Sequence, residues 1–168
     1  MKNASETRNL IKSVCFTGHR RIEPEDAASI VLVLKKVLKL LIENGAEHFL
    51  AGGAIGFDTV AALCVLELKK KYPHISLDLV LPCKNQTKMW SEADRTLFCD
   101  ILAHADSVEY LHETYTSTCM HDRNKRLVDR ADICVAYLAH SGGGTAHTVA
   151  YALKNDEEVI NVYDMING

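Results

Sequence analysis

Four clusters of glycine and polar residues punctuate the chain: Thr17–Gly18–His19–Arg20–Arg21, Gly52–Gly53–Ala54–Ile55–Gly56–Phe57–Asp58, Pro82–Cys83–Lys84–Asn85 and Ser141–Gly142–Gly143–Gly144–Thr145. Glycine lets main-chain N–H groups approach a ligand with no Cβ in the way. A helix that starts just after such a loop adds unpaired N–H groups and the positive end of its dipole, which favours phosphate or carboxylate. The spacing of Gly52, Gly53 and Gly56 is neither GxGxxG nor GxxxxGK[ST], so the dinucleotide fingerprint and the P-loop are both absent. Those glycines serve a tight strand-to-helix turn as readily as a ligand. Asp58 either receives a ribose hydroxyl or complements the dipole of the helix it opens. Three consecutive glycines at 142–144 are more than a turn needs. That loop reads as a phosphate or ribose site, with the hydroxyls of Ser141 and Thr145 as further donors.

A second signal comes from Met120, Arg123, Asn124 and Leu127, which helical spacing places on one face. Burying a guanidinium without a partner is costly, so Arg123 either meets an anion at the sheet rim or leads its stem outward to water. Arg20 can supply charge to a phosphate and His19 a hydrogen bond. Trp90 either stacks on a base or anchors local packing. The eight histidines show no HExxH or CxxC…H spacing, so no metal site is expected. The six cysteines form no CxxC pair and read as reduced packing residues. No residue is assigned a catalytic role.

These clusters need elements to position them. Ser13–Thr17 is a β-prone run closed by Gly18, and His48–Ala51, Ser76–Leu81, Ser107–Tyr110, Ile133–Tyr137 and Val159–Val162 read as further strands. Between them, helices are expected from just after Pro24 to Asn44–Gly45, then over Asp58–Lys71, Ser91–His104, Thr116–Arg130 and Ala146–Leu153. The stripe of the first helix is Val31, Leu34, Leu38 and Leu41; that of the last is Ala146, Val149, Ala150 and Leu153. Alternation of this kind requires crossovers, hence a mainly parallel, doubly wound α/β sheet with helices on both faces. In such a sheet the ligand crevice lies beyond the carboxyl ends of the strands. Each of the four clusters follows a predicted strand, so all four should share one rim.

With 168 residues and 48% apolar content, a single domain over 1–168 is expected, 1–12 being a flexible N-terminal segment. That segment lacks the apolar run of a signal peptide, and no apolar stretch reaches the length of a membrane span, which points to a cytoplasmic protein with no membrane partner. The formal net charge of −3 gives no global field for nucleic acid, so that partner is disfavoured.

The clusters together resemble the SLOG superfamily, in particular its small stand-alone YpsA-type bacterial proteins. The resemblance covers most of the chain and rests on Thr17–Gly18–His19–Arg20, Gly52–Gly53–Ala54–Ile55–Gly56–Phe57–Asp58, Met120 with Arg123–Asn124, and Ser141–Gly142–Gly143–Gly144–Thr145. It implies a Rossmann-like fold and a sensor or regulatory module for a nucleotide-derived ligand of the ADP-ribose or NAD type, with no required cofactor. A homo-oligomer is compatible with it. On that basis the ligand-binding residues are Gly18, His19, Arg20, Gly52, Gly53, Ala54, Gly56, Asp58, Arg123, Asn124, Ser141, Gly142, Gly143, Gly144 and Thr145. The superfamily also contains LOG phosphoribohydrolases, which use an Arg in MxxR(K/N) and a Glu in PGGxGTxxE. Met120–Arg123–Asn124 is similar to the first motif; in the second, Ser141 replaces Pro and Thr148 stands in the place of Glu. Hydrolysis of a nucleoside monophosphate would then need a displaced acid, Asp58 or Glu92. The DprA branch binds single-stranded DNA, and a patch of Arg20, Arg21, Lys84, Lys88, Arg123 and Lys125 would be its counterpart here.

Overall fold

Short β-prone runs, each closed by glycine, proline or a polar turn, become the strands β1 (Ser13–Gly18), β2 (His48–Ala51), β3 (Ser76–Cys83), β4 (Ser107–His112), β5 (Ile133–Tyr137) and β6 (Glu158–Asn161). The computed structural model describes residues 10–168, so the expected N-terminal segment lies outside the described residues up to position 9. Where the chain enters, Asp132 fixes it by accepting from the amides of Lys12 (2.8 Å) and Ser13 (2.9 Å).

All strand pairs are parallel, in the order β4-β3-β2-β1-β5-β6. Period-2 alternation divides the core between the two faces. Val14, Phe16, Phe49, Leu79, Leu81, Val135 and Tyr137 point to one side, and Cys15, Leu50, Val80, Cys134 and Ala136 to the other. The first side is covered by α1 (Ala27–Glu43), α2 (Phe57–Lys71), α3 (Glu92–His104) and the short α6 (Val162–Asn167); the second by α4 (Cys119–Arg130) and α5 (Gly143–Lys154). This is the expected Rossmann-like, doubly wound layering.

Several boundaries differ from the sequence expectation, each for a physical reason. β3 runs through Pro82 to Cys83: β2 pairs with it only as far as Leu79, and beyond that point β3 has the character of an edge, where proline is tolerated. Ser91 lies outside α3 as its N-cap, its hydroxyl accepting from the Asp94 amide at 3.1 Å. α5 begins at Gly143 rather than Ala146, so two of the three glycines are in its first turn. Its inward stripe is Thr145, Thr148, Val149 and Ala152, whereas Leu153 and Ala150 are exposed. In α1 the buried stripe is Ile30, Leu34, Val37, Leu38 and Ile42, rotated from the expected one. α6 has no counterpart in the sequence expectation, being a six-residue helix too short for a periodic signal.

Candidate functional site

Strand order reverses direction between β1 and β5, the neighbours from which the chain winds outward to either side. Loops leaving those two strands diverge, and ligands of open parallel sheets bind in the resulting crevice. A cleft of about 690 Å³ opens there. Its walls come from the loop after β1, from Ala54 in the loop before α2 and Asp58 in its first turn, from Met120, Arg123 and Asn124 of α4, from His140 and Gly142 between β5 and α5, and from Gly143–Thr145 in the first turn of α5.

One wall is the N-terminus of α5. Gly142 is its N-cap and supplies no side-chain capping bond, so the first-turn amides of Gly143, Gly144 and Thr145 have no intrahelical acceptor. Gly143 has φ +86°, and a Cβ there would meet nothing within 4 Å. These glycines are open toward the cleft. Facing them is Arg123, only 5% exposed. Its Nε donates to Asn124 Oδ1 at 2.7 Å and its Nη1 to the carbonyl of Gly52, while Nη2 finds no acceptor among the described residues. Burial lowers its pKa, and Asp58 opposes that shift. The guanidinium is thus held in place by main chain and amide, with one donor group left over.

Asp58 is 6% exposed and accepts from the Ala54 amide at 3.2 Å. Burial pushes its carboxyl above the usual range, against the pull of Arg123. On the opposite wall, Nε2 of His19 accepts from the amides of Ala139 (3.0 Å) and His140 (3.4 Å), and its ring stacks on His140 at 3.8 Å between centroids. The ring therefore spans the switch point, joining the loop after β1 to the loop after β5. Arg20 is exposed and lines the cleft.

Of the expected residues, Gly18, His19, Arg20, Ala54, Asp58, Arg123, Asn124 and Gly142–Thr145 line the cleft; Gly52, Gly53, Gly56 and Ser141 do not. The glycines after β2 also answer to close packing around them. A Cβ on Gly52 would fall 2.6 Å from Arg123, one on Gly53 2.4 Å from Leu81, and one on Gly56 2.1 Å from the Arg20 carbonyl oxygen. The amide of Phe57 is taken by the carbonyl of His19 at 3.2 Å, and Asp58 already places a carboxylate in the first turn of α2. Of the two helix ends, α5's is the one open to an anion.

Thr148 is 3% exposed and donates to the Gly144 carbonyl at 2.9 Å, a bond within its own helix. Glu92 does not line the cleft. Glu23 does, and no sequence signal marked it or His140, since neither falls in a motif nor at a diagnostic spacing. The six cations of the suggested basic patch differ in their surroundings. Lys84 pairs with Glu113 at 3.0 Å, Lys125 sits over the Tyr151 ring, Arg123 is buried, and Arg20, Arg21 and Lys88 are exposed near the clefts. Among the described residues no helix is long and apolar enough to cross a membrane, and no group of three or more His, Cys, Asp or Glu is placed to hold a metal ion.

Comparison with known proteins places this chain among relatives. The model of the YspA SLOG family matches residues 14–167. An uncharacterized SPbeta prophage-derived protein, YoqJ of Bacillus subtilis, is 30% identical over 134 residues, covering 73% of this chain and 78% of its own length. A UPF0398 protein of Staphylococcus epidermidis is 32% identical over 112 residues, 62% of this chain, and the match spans only 60% of that protein's length. Among solved structures, DNA processing protein A of Helicobacter pylori, described for its single-stranded DNA binding mode, superposes with a TM-score of 0.66 at 19% identity. That match covers 89% of this chain and 64% of the other, and at such identity it carries the fold alone.

Proposed function

We infer that this chain, which belongs to the YspA SLOG family, binds a nucleotide or nucleotide-derived small molecule in the cleft between β1 and β5 and acts as a sensor or regulatory module. The observation that carries this reading is the uncapped first turn of α5 set opposite the buried Arg123 with its uncommitted Nη2. Amide N–H groups at a helix N-terminus and a fixed guanidinium are complementary to a phosphate. Asp58 and Asn124 beside them offer an acceptor and an amide to ribose hydroxyls. The cleft volume is in the range of small-molecule sites. The cysteines are free and five of the six are buried, in keeping with a reducing, cytoplasmic setting.

Binding without turnover is the expected behaviour. A phosphoribohydrolase of the LOG type carries a Glu where Thr148 stands, Thr148 spends its hydroxyl inside α5, and the Asp58 carboxylate is already engaged by the Ala54 amide. Thermal shift with ribose 5-phosphate, AMP, NAD and ADP-ribose at millimolar concentration should raise Tm for at least one of them. No shift with any would refute the reading. AMP incubated with the protein should yield no free adenine by chromatography. If adenine appears, the protein is an enzyme, and Asp58→Asn and Glu23→Gln then locate its acid.

A further inference from the structure

A second cleft, of about 490 Å³, adjoins the first and shares Arg20, Ala54 and Met120 with it. It is built by the segment after β3, the one cluster of the sequence that the switch-point cleft leaves unused. We propose that this annex receives the nucleobase of the ligand whose phosphate lies at α5, so that the ligand crosses from one cleft to the other past Arg20; the inference rests on the reading of the first cleft given above.

Three features of the annex fit a planar heterocycle. Trp90 lines it and is held edge-to-face against Phe98, 5.6 Å between centroids, so its indole is oriented before any ligand arrives. Tyr115 and Met89 are 65% and 89% exposed, leaving aromatic and thioether surface in water at the mouth of a cleft. Stacking a base there would remove apolar area from water on the ligand and on the protein together. The third feature is polar. Asn85 Oδ1 accepts from the Tyr115 amide at 3.0 Å, which commits its oxygen and leaves its NH₂ as a donor. Gln86 Nε2 donates to the Gly53 carbonyl at 3.3 Å, which commits its nitrogen and leaves its oxygen as an acceptor. A donor and an acceptor from adjacent residues, each oriented by main chain, match the donor–acceptor edge of a nucleobase. Arg20, exposed and common to both clefts, stands where the phosphate-bearing part of the ligand would pass.

Trp90 is the chain's single tryptophan, so intrinsic fluorescence reports on this annex. The experiment titrates the full chain with AMP, GMP, CMP, UMP, ADP-ribose and ribose 5-phosphate, following both fluorescence and Tm. At least one base-bearing probe should quench Trp90 and bind about tenfold or more tighter than ribose 5-phosphate, which should bind without quenching. Tyr115→Ala, on an exposed ring, should weaken that probe by about tenfold and leave ribose 5-phosphate unchanged. Equal affinity for ribose 5-phosphate and every base-bearing probe, with no quenching, overturns the annex while leaving the phosphate site standing. So does a Tyr115→Ala that weakens ribose 5-phosphate as much as the nucleotide. Failure of all six probes to bind overturns the reading of the first cleft itself.

Discussion

His19 joins the loops after β1 and β5 without carrying a charge. Since its Nε2 accepts from the amides of Ala139 and His140, the ring's proton belongs on Nδ1. Burial first, then the neighbouring His140, lower its pKa, against a weaker pull from Glu23. An unfolded chain therefore takes up this proton more readily than the folded one. The linkage sign follows: the stabilisation is fully present above the ordinary histidine pKa of about 6.5 and is lost as pH falls through the depressed folded value. Glu157, pushed up to about 7 mainly by burial, titrates in an overlapping range with the opposite sign. The comparison must for that reason be between variants. The urea midpoint of the wild type, less that of His19→Gln, should shrink from pH 7 to pH 5; a difference independent of pH would show that the His19 bridge does not titrate. Tyr137 presents a parallel case without a titration near neutrality. Its hydroxyl donates to Asp26 Oδ2 at 2.7 Å and accepts from the Glu23 amide at 3.4 Å, and burial with the Asp26 bond pushes its pKa up to about 12. Tyr137→Phe leaves the buried Asp26 short of a donor, and denaturant unfolding should record a loss of about 1–3 kcal/mol.

At the scale of elements, two glycine loops of similar sequence character have different work. Gly56, at φ +80°, lets the start of α2 pass within contact of the Arg20 backbone, where any Cβ would collide with the carbonyl. Gly56→Ala meets both the left-handed cost of about 1–2 kcal/mol and an overpacking cost of about 1–3 kcal/mol, and should unfold at clearly lower urea. Gly142, by contrast, has φ −97° and ψ 158°, extended backbone that any residue adopts, and the nearest atom to its Cβ position is 3.8 Å away. Gly142→Val should leave stability within about 0.5 kcal/mol and abolish the ligand-induced rise in Tm by filling the approach to the α5 amides. If the variant is as stable as wild type and still shifts with ligand, the anion does not sit at α5. The sequence favoured the loop at 142–144 by its third glycine and left the loop at 52–56 open between turn and ligand. What distinguishes them is the partner of each missing Cβ: Arg20, Leu81 and Arg123 for the loop after β2, and open space at Gly143. Strand and helix identities were legible from local periodicity, whereas α6 and the rotated stripe of α1 depend on what the rest of the fold lays against them.

For the whole molecule, the parallel sheet and the single rim followed from alternation of elements, since βαβ units direct every strand's carboxyl end the same way. Strand order did not, and it is the order that sets the β1 and β5 loops side by side and makes His19, His140 and Glu23 neighbours of one cleft. That order also bears on nucleic acid. It distributes the six candidate cations into a buried Arg123, a paired Lys84, a Lys125 lying over Tyr151, and Arg20, Arg21 and Lys88 near the clefts, on a chain of net charge −3. Polyanion binding draws much of its strength from release of condensed counterions, so a single strand held through about four phosphates should lose roughly 50-fold in affinity between 50 and 200 mM salt. A mononucleotide carries no condensed atmosphere, and a cleft that encloses its phosphate beside Arg123 is only weakly screened. AMP or ADP-ribose affinity should therefore fall by no more than about threefold over the same range. Measured side by side with an oligonucleotide, the two slopes separate a small-molecule cleft from a strand-binding surface. A steep slope for the oligonucleotide, with tighter binding at 50 mM than any mononucleotide shows, would move the function to single-stranded nucleic acid.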